Sequence, residues 1–264
     1  MNLLLDVGNS RIKCAISNES DNLVPLNVSI NHREDFNAEN CWLNIRQCLE
    51  VNQLGLPSII GISCVRPSVT EALVDSAKCY FEAELHIAKT QRHHKQLINS
   101  YAVPDTMGVD RWLAMLAATR GGEQAAMVID CGTAMTIDLV ASGGQHLGGY
   151  IVAGLENQLS ALLSNTERVF AGDNLTDTLV TPGQNTQACV LNGLYAQAIA
   201  FIEQQIQFAL SQGITETWFT GGNAQKLIQP IKMRSLYPEM ALNHNDLLIF
   251  EGLLTSLQED RKKI

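Results

Sequence analysis

A five-residue pattern, aspartate, any residue, glycine, a polar residue and a small one, occurs as Asp6-Val7-Gly8-Asn9-Ser10. It recurs 124 residues later as Asp130-Cys131-Gly132-Thr133-Ala134. Each copy follows an apolar run (Leu3 to Leu5, then Met127 to Ile129) and precedes another (Ile12 to Ile16, then Thr136 to Val140). A chain that writes one hairpin twice is constrained to fold as two related halves. A single such turn is an ordinary tight hairpin; its repetition at equivalent places points to a phosphate clamp. Glycine opens backbone conformations in which several amide N–H groups crowd around an anion. Asn9, Ser10 and Thr133 add neutral donors, Lys13 adds positive charge, and Asp6 and Asp130 can hold a cation that screens phosphates.

At 264 residues the chain admits one large domain or two of ordinary size. The repeat favours two, 1–120 and 121–264, with the boundary near Gly121-Gly122. A hydrophobic content of 46% with 17% charged residues suits a well-cored protein. A net charge of −9 argues against a broad nucleic-acid footprint. The first strand carries charged neighbours, so no leader is expected, and no apolar stretch nears the roughly 20 residues that span a bilayer. Seven cysteines without a C-x-x-C pair suggest buried, reduced thiols and a cytoplasmic setting, with neither disulfides nor zinc. His93-His94, between Arg92 and Lys95, reads as a solvated basic turn, and Glu259 to Lys263 as a solvated charged tail.

Residues 2–7, 11–17 and 24–30 read as an antiparallel meander. A helix over 40–54, a buried strand at Ile59 to Ser63, a helix after Pro67 and a strand at Leu85 to Ala88 follow. The first half is therefore βββαβαβ. Strands at 126–131, 134–140 and 145–151 begin the second half. Helices at 154–164 and 185–212, a strand from Thr215 to Phe219, a helix after Thr220-Gly221-Gly222-Asn223 and a last helix from about 244–246 complete it as βββααβαα.

Gly108-Val109-Asp110-Arg111 opens a helix after the loop that begins at Tyr101. Asp110 there is either a helix cap with Arg111 as ion-pair mate, or a general base beside an arginine that grips an anionic group. The glycines of Thr220-Gly221-Gly222-Asn223 serve a helix start or a flat surface for a nucleotide. Gly148-Gly149-Tyr150-Ile151 and Gly154 permit close backbone approach or merely end a strand. Thr186 reads by default as the cap of the long helix.

Taken in order, DVGNSRIK at 6–13, GVDR at 108–111, DCGTAMTID at 130–138, GGYIVAGL at 148–155, TGG at 220–222 and NDLLIFEGL at 245–253 resemble the type III pantothenate kinases. These belong to the acetate-kinase, sugar-kinase, Hsp70 and actin superfamily. The resemblance covers nearly the whole chain. It implies an α/β fold of two ribonuclease-H-like (actin-like ATPase) domains with a nucleotide cleft between them. It also implies ATP-dependent phosphorylation of pantothenate, the first step towards coenzyme A. By position, Asp6, Val7, Gly8, Asn9, Ser10, Arg11, Ile12, Lys13, Thr133, Gly221 and Gly222 would bind ATP, with Asp6 near magnesium. Asp110 would take the hydroxyl proton. Tyr101, Gly108, Val109, Asp110, Arg111 and Thr186 would form the pantothenate site. Asp130 would hold the monovalent cation, potassium or ammonium, that the family requires. A homodimer is expected.

Two departures stand out. Ala153 replaces a proline common in the family, which removes a preset backbone angle, and Ser10 replaces threonine while keeping the hydroxyl. Two rivals remain: a transcriptional accessory protein of the Bvg type, which shares the pattern, and a kinase or phosphatase of the same fold with another acceptor.

Overall fold

The computed structural model describes residues 1–18, 21–31, 36–164 and 181–261. The chain divides into two compact units. One comprises residues 1–94, 101–117 and 247–264; the other comprises 95–100 and 118–246.

In the first unit the strands are β1 (Asn2–Val7), β2 (Arg11–Ser17), β3 (Leu23–Asn31), β4 (Ile59–Cys64) and β5 (Glu84–Ile87). They form one sheet in the order β3-β2-β1-β4-β5. The meander is antiparallel, whereas β1, β4 and β5 run parallel. Side chains alternate across a strand, and β1 uses both faces. Leu3, Leu5 and Val7 join a core with α1 (Ala38–Val51) and α2 (Pro67–Ala77). Asn37 caps α1 by accepting the Asn40 N–H at 2.8 Å. Trp42 anchors this layer, donating from Nε1 to the Leu73 carbonyl at 3.2 Å and meeting Phe81 edge-on at 5.7 Å. Truncating so buried a tryptophan costs about 3–5 kcal/mol.

The opposite face of β1 carries Leu4 and Asp6. Helix α7 (Leu248–Arg261) covers this face, with Leu253 and Leu257 against Gly61 of β4. Helix α3 (Val109–Ala118) lies against α7 closely enough that a Cβ on Gly252 would collide with the Leu113 carbonyl. Two short strands, β6 (His93–His94) and β7 (Leu97–Ile98), and a 3-10 turn (Pro104–Thr106) lie between β5 and α3.

The second unit repeats the plan. Strands β8 (Ala126–Cys131), β9 (Ala134–Val140), β10 (His146–Ala153), β11 (Glu216–Thr220) and β12 (Ala241–His244) are ordered β10-β9-β8-β11-β12. Strand for strand, this is the order of the first sheet. Helices α5 (Thr186–Ser211) and α6 (Ala224–Arg234) cover the face bearing Met127, Ile129 and Cys131. Helix α4 (Leu155–Ser164) packs against α5.

Five expectations need correction. The last helix belongs to the first unit rather than to 121–264, because its leucines fill the second face of β1 and β4. Residues 95–100 belong to the second unit, where the Gln96 and Leu97 N–H groups bond the Gly121 carbonyl at 2.9 and 3.0 Å. The divide then falls between residues 117 and 118, inside α3, rather than at 120. β12 adds a strand that the βββααβαα reading omits. His94 is 4% exposed, with Nε2 3.0 Å from Glu259 Oε2, so neither His94 nor Glu259 is freely solvated, whereas His93 is exposed as the basic-turn reading expects. Residues 262–264 lie outside the described residues.

Candidate active site

In the first unit the hairpin turn is closed by the Gly8 N–H on the Arg11 carbonyl at 3.1 Å. Asp6 pairs in register with Lys13 of β2 and with Ser63 of β4. Cross-strand partners share a face, so Asp6, Lys13 and Ser63 stand together on the side covered by α7, and Ser63 Oγ lies 3.4 Å from Asp6 Oδ1. Asn9, Arg11 and Lys13 are exposed and Ser10 is buried. Val7 and Ile12 are fully buried. These two can offer a nucleotide only their backbone.

The second expected cluster lies in the same unit. The Val65 N–H bonds the Val7 carbonyl at 3.3 Å, and a Cβ on Gly108 would stand 4.0 Å from Val65 Cγ1. That same Cβ would be 2.5 Å from Asp110 Oδ1. Glycine at 108 thus makes room for the Asp110 carboxylate near the C-terminal ends of β1 and β4. Asp110 Oδ1 accepts the Arg111 backbone N–H at 2.8 Å, which fixes the carboxylate at the head of α3. The Arg111 side chain meets Tyr101. It is 6% exposed, donates to the Tyr101 hydroxyl at 2.9 Å and lies 5.7 Å from the centre of that ring. Val109 is buried. The structure therefore gathers Tyr101, Gly108, Asp110 and Arg111, and uses Val109 as a core anchor.

In the second unit Asp130 pairs in register with Thr136 of β9 and Thr220 of β11. The Gly132 N–H closes the turn on the Ala134 carbonyl at 3.1 Å. Gly221 has a φ of +89°, and a Cβ there would collide with Asp130 Oδ1. A residue other than glycine would be strained twice, by conformation and by contact. Gly222 has open space around it. Gly154 donates to the Thr133 carbonyl at 3.0 Å, and a Cβ there would strike the Gly132 carbonyl. Where the family's proline is absent, Gln158 Nε2 holds the Ala153 carbonyl at 2.6 Å. Thr186 is exposed in the first turn of α5; the cap is Asn185, which accepts the Ala188 N–H at 2.8 Å.

A thiol sits at each strand end. Burial pushes Cys131 far up, with the Asp130 charge adding to it. Burial also raises Cys64, and Asp6 contributes in the same direction against hydrogen bonds from Thr70 and Arg66. Both thiols stay neutral beside their carboxylates.

Several supporting residues have no local sequence signal. Arg92 donates from its two terminal nitrogens to the Tyr101 and Ala102 carbonyls at 2.5 Å each. Thr90 Oγ1 donates to the Met107 carbonyl at 2.9 Å. Asn157 Nδ2 holds the Thr133 carbonyl at 2.8 Å. Among the described residues no group of three or more histidine, cysteine or acidic side chains is gathered for a metal.

A family model described as type III pantothenate kinase matches residues 2–207. A type III pantothenate kinase from Colwellia psychrerythraea is 33% identical, the match covering 96% of this chain and 98% of that protein. Among solved structures, a putative Baf family transcriptional activator from Campylobacter jejuni superposes with a TM-score of 0.62 at 21% identity, over 98% of this chain and 99% of that one. A putative 2-dehydro-3-deoxygalactonokinase from Sinorhizobium meliloti gives 0.59 at 12% identity with the same coverage. At these identities the structural likenesses establish the actin-like, sugar-kinase fold.

Proposed function

Because the chain belongs to the type III pantothenate kinase family, we propose that it transfers the γ-phosphoryl group of ATP to the primary hydroxyl of pantothenate. The product, 4′-phosphopantothenate, begins coenzyme A synthesis. One observation carries this reading. Asp110 is set on the first unit at the head of α3, near the strand ends where Asp6 and the Gly8 turn stand. In-line phosphoryl transfer asks mainly for placement and charge stabilisation. Asp110 accepts the hydroxyl proton. Arg111 and Tyr101, locked to one another, grip the acceptor together with Gly108; Thr186 of the second unit is assigned to the same substrate. The Asp6 to Lys13 segment, Thr133, Gly221 and Gly222 bind ATP, with Lys13 and the turn amides opposite the transferred phosphoryl oxygens.

A kinase of this family uses ATP and a divalent cation. Asp6, a part-buried carboxylate at an open turn, fits magnesium, which needs only one or two carboxylates besides phosphates and water. When bound, magnesium neutralises charge on the β- and γ-phosphates. Asp130 is assigned to a monovalent cation, potassium or ammonium. Its ladder neighbours are the hydroxyl residues Thr136 and Thr220, and the Gly221 backbone approaches its oxygen too closely to admit a Cβ.

A homodimer is proposed through the second unit. Edge strand β10 exposes Leu147, Tyr150 and Ile151, the last at 62%, and α4 exposes Leu162. Exposed apolar side chains on an edge strand favour a protein partner. Among the described residues no helix is long and apolar enough to cross a membrane. All seven cysteines are free thiols, which suits a cytoplasmic enzyme.

The test is ADP release measured with ATP, magnesium and potassium. Release that begins only when pantothenate is added, and not with acetate, glycerol or sugars, is the expected result. Indifference to pantothenate beside a DNA mobility shift at physiological salt would instead favour the regulatory alternative.

A further inference from the structure

Asp138 and His146 are 2% and 1% exposed, yet neither belongs to the groups assigned above. Buried polar groups of this kind persist only where partners satisfy them. His146 Nε2 lies 3.0 Å from Asp138 Oδ1, and His146 Nδ1 lies 2.9 Å from Ser100 Oγ. A carboxylate accepts, so Nε2 donates to Asp138 and Nδ1 is left to pair with the serine hydroxyl. The residue types match a hydrolase triad, but the imidazole nitrogens are exchanged: serine bonds Nδ1 and aspartate Nε2. Ser100 is exposed, while its hydroxyl hydrogen is committed inward.

The position of Ser100 gives the relay its interest. Residues 95–100 are stitched to the second unit by the bonds to the Gly121 carbonyl and by the Ile98 N–H on the Gly144 carbonyl at 2.8 Å. The chain passes to the first unit at the Ser100–Tyr101 peptide bond. Tyr101 is the residue whose hydroxyl meets Arg111 and whose carbonyl is held by Arg92.

We propose that Ser100, held by the buried His146–Asp138 pair, is a positioning residue for the acceptor-substrate loop, fixing the backbone from which Tyr101 reaches Arg111. This rests on the acceptor site proposed above. Releasing the serine lets the Tyr101 backbone shift, and displacements near 1 Å are enough to weaken substrate placement severely.

The test compares Ser100→Ala and Ser100→Thr with the unaltered full chain. Ser100→Ala should raise the KM for pantothenate about tenfold and leave the KM for ATP and kcat within about twofold. Ser100→Thr, which keeps the hydroxyl, should restore the KM. Hydrogen exchange supplies a readout without substrate: amides of 101–108 should exchange faster in Ser100→Ala and normally in Ser100→Thr. Unchanged exchange with an unchanged pantothenate KM overturns the inference. So does an equal disturbance of both substrates, the mark of a purely structural role. If the unaltered protein turns over no pantothenate while the exchange difference holds, the acceptor assignment fails and the grip of Ser100 on the loop stands.

Discussion

Asp6 and Asp130 occupy the same place in two sheets of identical strand order, but their neighbours differ. Asp6 is flanked by Lys13 and Ser63, with Arg11 exposed in the same hairpin; Asp130 is flanked by Thr136 and Thr220. Beyond the fourth strand the first unit enters α2 through Arg66 and Pro67. The second enters α6 through two glycines, one at positive φ. The ladder is the same in both units, and the side chains beside the aspartate differ. The cationic turn suits phosphoryl oxygens, and the neutral turn, with a glycine backbone close against its carboxylate, suits a small cation and close backbone approach. Two aspartates at equivalent positions are thus expected to serve different cations.

This contrast can be broken by substitution. The largest effect belongs to the first unit: Asp110→Asn should fold normally and lose about 10²–10⁴ in kcat, the usual worth of a positioned general base. Near-normal turnover would remove Asp110 from its role. Lys13→Ala should follow, with kcat down about a hundredfold, the scale of one lost oxyanion donor. Thr133→Ala should cost less than Lys13→Ala; equal losses in the coupled assay would erase the proposed division between turns.

Glycine substitutions sharpen the comparison through stability. Gly221→Ala meets both a positive φ and the Asp130 oxygen, so thermal unfolding should show a loss of about 1–3 kcal/mol. Gly8→Ala, with its nearest contact at 3.4 Å, and Gly222→Ala, with open space, should stay within about 0.5 kcal/mol on stability. A severe loss at Gly8 would mean that the two turns share one backbone constraint after all.

The smallest effect is alkaline. Burial pushes the Cys41 thiol from 9.0 up to about 12 and also raises Cys14. Above pH 9 the unfolded chain releases these protons while the folded chain keeps them, so stability falls as pH rises from 9 towards 12. Below pH 9 the thiols contribute no slope. Cys41→Ala should flatten the fall in a melting series from pH 8 to 10.5, and an unchanged slope would contradict this origin.

Much of this comparison was legible in the residues. The two D-x-G turns, the first-half order βββαβαβ and the long helix α5 follow from local pattern. Asp110 and Arg111 were singled out by their place at a helix start, but the hydrogen bond from Arg111 to the Tyr101 hydroxyl had no local signal. What escaped depends on distant contacts. β12, Ala241–His244, is four residues long with no clean alternation, and is a strand because it pairs in parallel with β11. Nothing local to α7 says which sheet it covers; its leucines beside Leu4 and Gly61, and the close approach to α3 that Gly252 permits, assign it to the first unit. Arg92 and His94 looked like one solvated basic turn, because nothing nearby announces the Tyr101 carbonyl or Glu259.

The most direct measurement follows phosphorus itself. Phosphorus NMR of the protein with ATP, magnesium, potassium and pantothenate should show the γ-phosphate signal replaced by a phosphate monoester of a primary alcohol, in step with ADP. A spectrum that gains only inorganic phosphate, or in which ATP persists unchanged, would contradict the assignment.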